Sequence, residues 1–201
     1  WDSPAPSIGL PEANPLSETK RDSVSTEKEQ AVVTLGFQGC TLGHADRYAM
    51  DLISEALNDM GSRLFLKIRE ELGLAYYVGT QNFAGRIPGC FTFYAGTAAK
   101  SAAQVEEELT RQAKRLAKEG LTEDELRRAK AKLTGHKKIA RQDLGSVAFA
   151  TCMDELLGLG YNHHAEEDIR IESVTLEQVR DVANRYFGTE QFATAVSLPS
   201  N

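Results

Sequence analysis

The hydrophobic period of this chain changes between residues 31 and 60, and that change constrains its fold more than any other feature. "AVVTLGF" (31 to 37) is a β-branched run of the kind that forms a buried strand. "HADRYAMDLISEALNDM" then places Ala45, Tyr48, Ala49, Leu52, Ile53, Ala56, Leu57 and Met60 on one helical stripe. A strand that hands over directly to an amphipathic helix must bury both against the same core. A second, short helix follows, carrying Leu64, Phe65, Ile68 and Leu72 inward and stopping at Gly73, the residue type suited to a left-handed C-cap. "AYYVGTQNF" and "CFTFYAG", joined by the glycines and proline of "AGRIPG", then read as a hairpin.

The remainder is mostly helical. Val105, Leu109, Gln112 or Ala113, and Leu116 form one stripe. After Gly120, Thr122 and Glu125 have capping-box spacing at the head of a long basic helix, and a further helix covers about 143 to 158. Thr175 and Gln178 repeat the capping signal ahead of Val179, Val182, Ala183, Tyr186 and Phe187, and "QFATAVS" closes the chain as a strand. "SVSTEKEQ" (23 to 30) is polar enough for an edge strand. Locally paired strands and helices gathered in blocks predict an α+β fold, an α/β sandwich with a largely antiparallel sheet packed against helices. The expected organisation is one domain over 21 to 201, preceded by a boundary segment over 1 to 20. That segment holds four of the six prolines and reads as a linker from a longer protein rather than a signal peptide.

The net charge is −6, but residues 111 to 141 hold eleven Lys and Arg against four Asp and Glu, leaving the rest at −13. These charges fall on helices that already have an apolar face, with no aromatic residue interleaved for base stacking, so a solvated helix face is expected and no nucleic-acid partner. No apolar run approaches bilayer-spanning length, so no membrane partner is expected either. Cys40, Cys90 and Cys152 are an odd set without a C-x-x-C pair and are expected to be buried free thiols.

No catalytic centre is visible in the chain itself. A helical zinc protease motif needs two histidines one turn apart with a glutamate for the metal-bound water. The nearest approach is "HHAEE" (163 to 167), where His163 and Glu166 have the right spacing but Glu167 stands in the second histidine position. A solvated turn with acidic residues near a helix start is the simpler expectation there. His44 reads as a polar residue at a helix entrance. There is no nucleophile elbow, P-loop or dinucleotide fingerprint.

Arg69 and Tyr76 are different. Arg69 lies on the last turn of its helix and Tyr76 begins the strand beyond Gly73, so a reversal at the glycine can hold a planar fork of donors and a phenolic hydroxyl at one exposed edge. Such a pair can polarise a peptide carbonyl. Spacing alone equally allows Arg69 to pair with Glu70, Glu71 or another acid while Tyr76 packs under a helix.

"SRLFLKIREELGLAYYV" resembles a segment of the pitrilysin/insulinase-type zinc metalloproteases, including the mitochondrial-processing-peptidase-like members. The resemblance extends through "EQAVVTLGFQG", "YAMDLISEALNDMGSRLF", "GLTEDELRRAKAKL" and "SVTLEQVRDVANRYF". It implies one of two homologous domains that face each other around a closed chamber, here the domain that lacks the H-x-x-E-H zinc motif and has "HADRYAM" in its place. Such a domain is inactive alone. It would close the proteolytic chamber and supply Arg69 and Tyr76 to bind the peptide substrate and stabilise the tetrahedral intermediate. Zinc is expected on the catalytic partner domain, in the same polypeptide or a separate subunit, with no metal ligand or cofactor on this one. The same fold also serves as core subunits of a respiratory complex, so a structural scaffold with no proteolytic role is the alternative.

Overall fold

A computed structural model describes residues 9, 10 and 13–200; the proline-rich expectation over 1 to 20 lies partly outside these. Strands β1 (Lys20–Thr26), β2 (Ala31–Gln38), β3 (Ala75–Phe83), β4 (Cys90–Thr97) and β5 (Ala193–Pro199) form one sheet in the order β1-β5-β2-β4-β3. Every pairing is antiparallel except β1 with β5. β1 is an edge strand, as the polar sequence predicts, but it lies three residues earlier than "SVSTEKEQ". The polar residues 27 to 30 instead carry the chain across the end of β5 into β2.

Among the described residues, six α-helices accompany the sheet: α1 (Arg47–Leu57), α2 (Ala102–Glu119), α3 (Glu123–Ala140), α4 (Leu144–Leu156), α5 (His163–Ser173) and α6 (Leu176–Phe187). β2 alternates strictly, with Ala31, Val33, Leu35 and Phe37 buried and their neighbours half-buried, so its helix-facing side is the core side. Phe91, Phe93 and Ala95 of β4 extend that surface, and Phe187 of α6 inserts between Phe37, Phe91 and Phe93 with ring centroids 4.9 to 5.6 Å apart. The stripe of α2 (Val105, Leu109, Gln112, Ala113, Leu116) is buried in full. Thr122 with Glu125 and Thr175 with Gln178 close both predicted capping boxes.

Three expectations need correction. The α1 stripe is shorter than its pattern: the helix begins at Arg47 and ends before Asn58, so Ala45 and Met60 fall outside it and are exposed. "HHAEE" is not a solvated turn but the first turn of α5, with His163 and Glu167 buried. The cysteines are free, but only Cys40 is buried; Cys90 is half-buried and Cys152 is exposed. The reason for Cys152 lies in α4, which buries none of its side chains and leaves Leu144, Phe149 and Leu156 largely open. No helix among the described residues is long and apolar enough to cross a membrane.

Candidate functional site

The segment between α1 and β3 builds the site. Ser62, itself buried, accepts a hydrogen bond from the Phe65 N–H at 3.2 Å, and Arg63 reaches across to α3. Arg63 Nε donates to Glu125 Oε1 at 2.8 Å while its Nη2 donates to Oε2, a bidentate pair with both side chains nearly out of water. Glu125 also accepts from Thr122 N at 2.8 Å, so one carboxylate serves the capping box and the ion pair. Burial acts to raise this carboxyl, but the bonds from Arg63 and Thr122 outweigh it and hold it below its ordinary range. Two separate stretches of sequence, "SRLF" and "TEDEL", are joined by this contact.

Phe65–Glu71 forms a π-helix rather than an α-helix. Leu72 N–H reaches back five residues to Lys67 O at 3.1 Å. The wider turn puts residues four apart nearly in line, so Leu64 and Ile68 share the core row, while Phe65 and Arg69 form the next row toward the surface. Phe65 is therefore half-buried rather than an inward residue, a correction to the α-helical reading. Gly73, with φ of +60°, then reverses the chain, and Leu74 N–H closes onto Ile68 O at 2.9 Å. A Cβ at Gly73 would touch nothing, so the backbone angle alone calls for glycine.

β3 starts with a bulge. Ala75 pairs with Thr97 and Tyr77 with Gly96, leaving Tyr76 as the extra residue. The bulge turns Tyr76 outward, 69% exposed, beside the helix that carries Arg69. The Arg69 guanidinium sits 5.4 Å from the Tyr76 ring centroid and 4.9 Å from that of Phe65. Its contact with a carboxylate is loose, 3.8 Å to Glu70, and it donates no hydrogen bond among the described residues. Both features that spacing left open are present: Arg69 has Glu70 within ion-pair range, and its guanidinium also lies beside the exposed Tyr76 ring. Among the described residues, neither side chain donates a hydrogen bond to another group of the chain.

Tyr77, next along the bulged strand, lays its ring over Gly96, where a Cβ would stand 2.2 Å from a ring carbon. Further along this edge strand, Asn58 at the end of α1 uses its side-chain amide as a substitute strand. Its Nδ2 donates to Thr80 O and its Oδ1 accepts from Thr80 N, both at 2.7 Å. The sheet edge is thus closed at Thr80, four residues beyond Tyr76.

The histidine-rich stretch is occupied by structural contacts. His163 Nε2 lies 2.9 Å from Tyr48 Oη, Glu167 accepts from Arg47 and Lys137, Glu166 from Arg170, and His164 Nδ1 meets Asp154. Burial, with Arg170 and Arg47 nearby, holds the His163 imidazole below its ordinary value, which disfavours its charged form. His44 lies in the turn before α1, where its Nδ1 accepts from Asp46 N. Among the described residues, no group of three or more His, Cys, Asp or Glu side chains is arranged to hold a metal. In the basic segment, eight of the eleven cations (Arg111, Lys114, Arg115, Arg127, Arg128, Lys132, Lys137 and Arg141) face a carboxylate.

Comparison with known proteins places the chain in a family. The model of the peptidase M16 inactive domain matches residues 2–133. The uncharacterized zinc protease YmxG of Bacillus subtilis is 32% identical over 188 residues, covering 92% of this chain and 46% of that protein. An uncharacterized zinc protease of Rickettsia bellii is 31% identical over 186 residues, 89% of this chain and 43% of its own length. The chain thus spans less than half the length of these relatives. Its fold is shared with a protease from Helicobacter pylori (TM-score 0.87, 20% identity, 98% of this chain, 48% of that one). It is shared likewise with the peptidase M16 inactive domain from Pseudomonas fluorescens (TM-score 0.78, 19% identity, 96% and 47%). The chain belongs to the peptidase M16 inactive-domain family.

Proposed function

We propose that this chain is the substrate-contacting, non-catalytic half of a zinc metalloendopeptidase. It closes the proteolytic chamber against a homologous zinc-bearing domain, fused to it or carried on a separate subunit. Arg69 and Tyr76 bind the peptide and donate hydrogen bonds to the scissile carbonyl as negative charge develops on it, an effect of about 3 to 4 kcal/mol for a well-placed donor. The single observation that carries this reading is the convergence of Arg69 and Tyr76, 5.4 Å from cation to ring, at one exposed edge with no hydrogen-bond partner for the guanidinium among the described residues.

Two further observations support the wider assembly. The relatives are named zinc proteases and are more than twice as long as the part this chain matches. Helix α4, apolar and unburied, is a surface of the kind that a second domain covers. Zinc and the groups that bind it belong to that second domain in this account. The test is peptide cleavage by this chain alone and by a longer protease that contains it, each with zinc and with a chelator. The reading expects the chain to be inert and the longer protein to cleave until chelated. A longer protein that cleaves no unfolded peptide would favour the scaffold alternative.

A further inference from the structure

The π-helix has a consequence for the chemistry of Arg69. An arginine on a surface helix ordinarily samples many rotamers, and an immobilised guanidinium needs either a carboxylate in its plane or rings against its faces. Here the carboxylate partner is distant, Glu70 at 3.8 Å, while the ring centroids of Phe65 and Tyr76 lie within cation–π range, 4.9 and 5.4 Å from the guanidinium carbon. Contacts to the ring faces use no N–H donor. They hold the group and leave most of its N–H fork available, with only the loose approach of Glu70 on one side.

Phe65 reaches this place because the backbone spends an unusual turn on it. Tighter α-helical winding would rotate Phe65 toward the core row occupied by Leu64 and Ile68, as the hydrophobic pattern expects. A seven-residue π-helix is rare, and π segments are frequent at functional sites.

We propose that Phe65 is a positioning residue for the Arg69–Tyr76 site. Its ring, facing the guanidinium with that of Tyr76, sets the plane in which the Arg69 N–H fork meets a substrate carbonyl. The proposal rests on the functional reading above, in which Arg69 and Tyr76 act on peptide. Phe65 touches no reacting atom. It acts through Arg69.

The test reads the two parts separately. In the 201-residue chain, nitrogen-15 relaxation of Arg69 Nε reports the mobility of the guanidinium. In the longer protease, kcat and KM for a peptide report its use. Phe65→Leu keeps the bulk and removes the π face, while Phe65→Tyr keeps the face. The expected result is a more mobile Arg69 Nε in Phe65→Leu and a fall in kcat of about 3- to 10-fold. KM should change less, the melting temperature should be retained, and Phe65→Tyr should restore both readouts.

An Arg69 Nε as ordered in Phe65→Leu as in the unaltered chain overturns the proposal. So does unchanged turnover in Phe65→Leu when Arg69→Ala abolishes it. If instead Arg69→Ala and Phe65→Leu both leave turnover intact while Nε mobility rises, the aromatic clamp stands as structure. It is then the catalytic use of Arg69 that fails, and with it the role proposed for Phe65.

Discussion

Arg63→Ala removes the guanidinium that joins the start of the π-helix to the capping box of α3. The side chains of Arg63 and Glu125 are only 13% and 10% exposed, so the carboxylate left behind has little access to water. Breaking such a pair by deleting one partner costs about 3 to 5 kcal/mol. Glu125 keeps its bonds from Thr122 N and Thr122 Oγ1, which places the expected loss at the low end, about 3 kcal/mol. With a urea dependence of about 2 kcal/mol/M, the unfolding midpoint falls by about 1.5 M. Urea titration followed by far-UV circular dichroism measures this, with Glu125→Gln and the double variant completing a cycle whose coupling should reach about 1 to 3 kcal/mol. The pair also carries a pH signature. Because the folded Glu125 carboxyl lies below its ordinary 4.5, its contribution is complete above that value and disappears as pH falls through the folded pKa. A loss under about 1 kcal/mol, the worth of an exposed pair, with no coupling in the cycle, would refute the claim that this contact is buried and joins the two segments.

His163 gives a second pH dependence of the same direction at higher pH. Its folded pKa is lowered from 6.5, so the unfolded chain takes up a proton that the folded chain resists. Thermal melts should show stability falling as pH drops below about 6.5, and His163→Phe should flatten that slope; identical slopes would contradict the assignment. Gly73→Ala places a side chain at φ +60° where nothing obstructs it, so the whole cost is backbone, about 1 to 2 kcal/mol by chemical denaturation. A neutral substitution there would mean that the reversal does not need a left-handed residue.

Much of this architecture is legible in the residues because its elements are locally consistent. The strict alternation of Ala31 to Phe37, the full stripe of α2 and both capping boxes are decided within a few residues of themselves. The misreadings arise where a distant contact decides. The burial of His163 depends on Tyr48, 115 residues away, and Glu167 depends on Arg47 and Lys137, so a polar stretch becomes one face of α5. Phe65 reads as an inward residue at α-helical spacing and turns outward only because the backbone widens to five-residue hydrogen bonds. At the site itself, the positions of Arg69 and Tyr76 follow from the sequence, but their supports do not. The bulge at Tyr76 is set by pairing with β4, and the edge closure by Asn58 is set by where α1 ends.

The most direct test of the proposed role is the turnover of the Tyr76→Phe variant of the longer protease proposed to contain this chain, compared with its melting temperature. Tyr76 is exposed and its hydroxyl supports nothing internal among the described residues, so the folded state should be unaffected. The account predicts a fall in kcat of about 100-fold or more, the effect of losing one oxyanion donor, at an unchanged melting temperature. Turnover equal to that of the unaltered enzyme would contradict it and return Arg69 and Tyr76 to the surface of a scaffold.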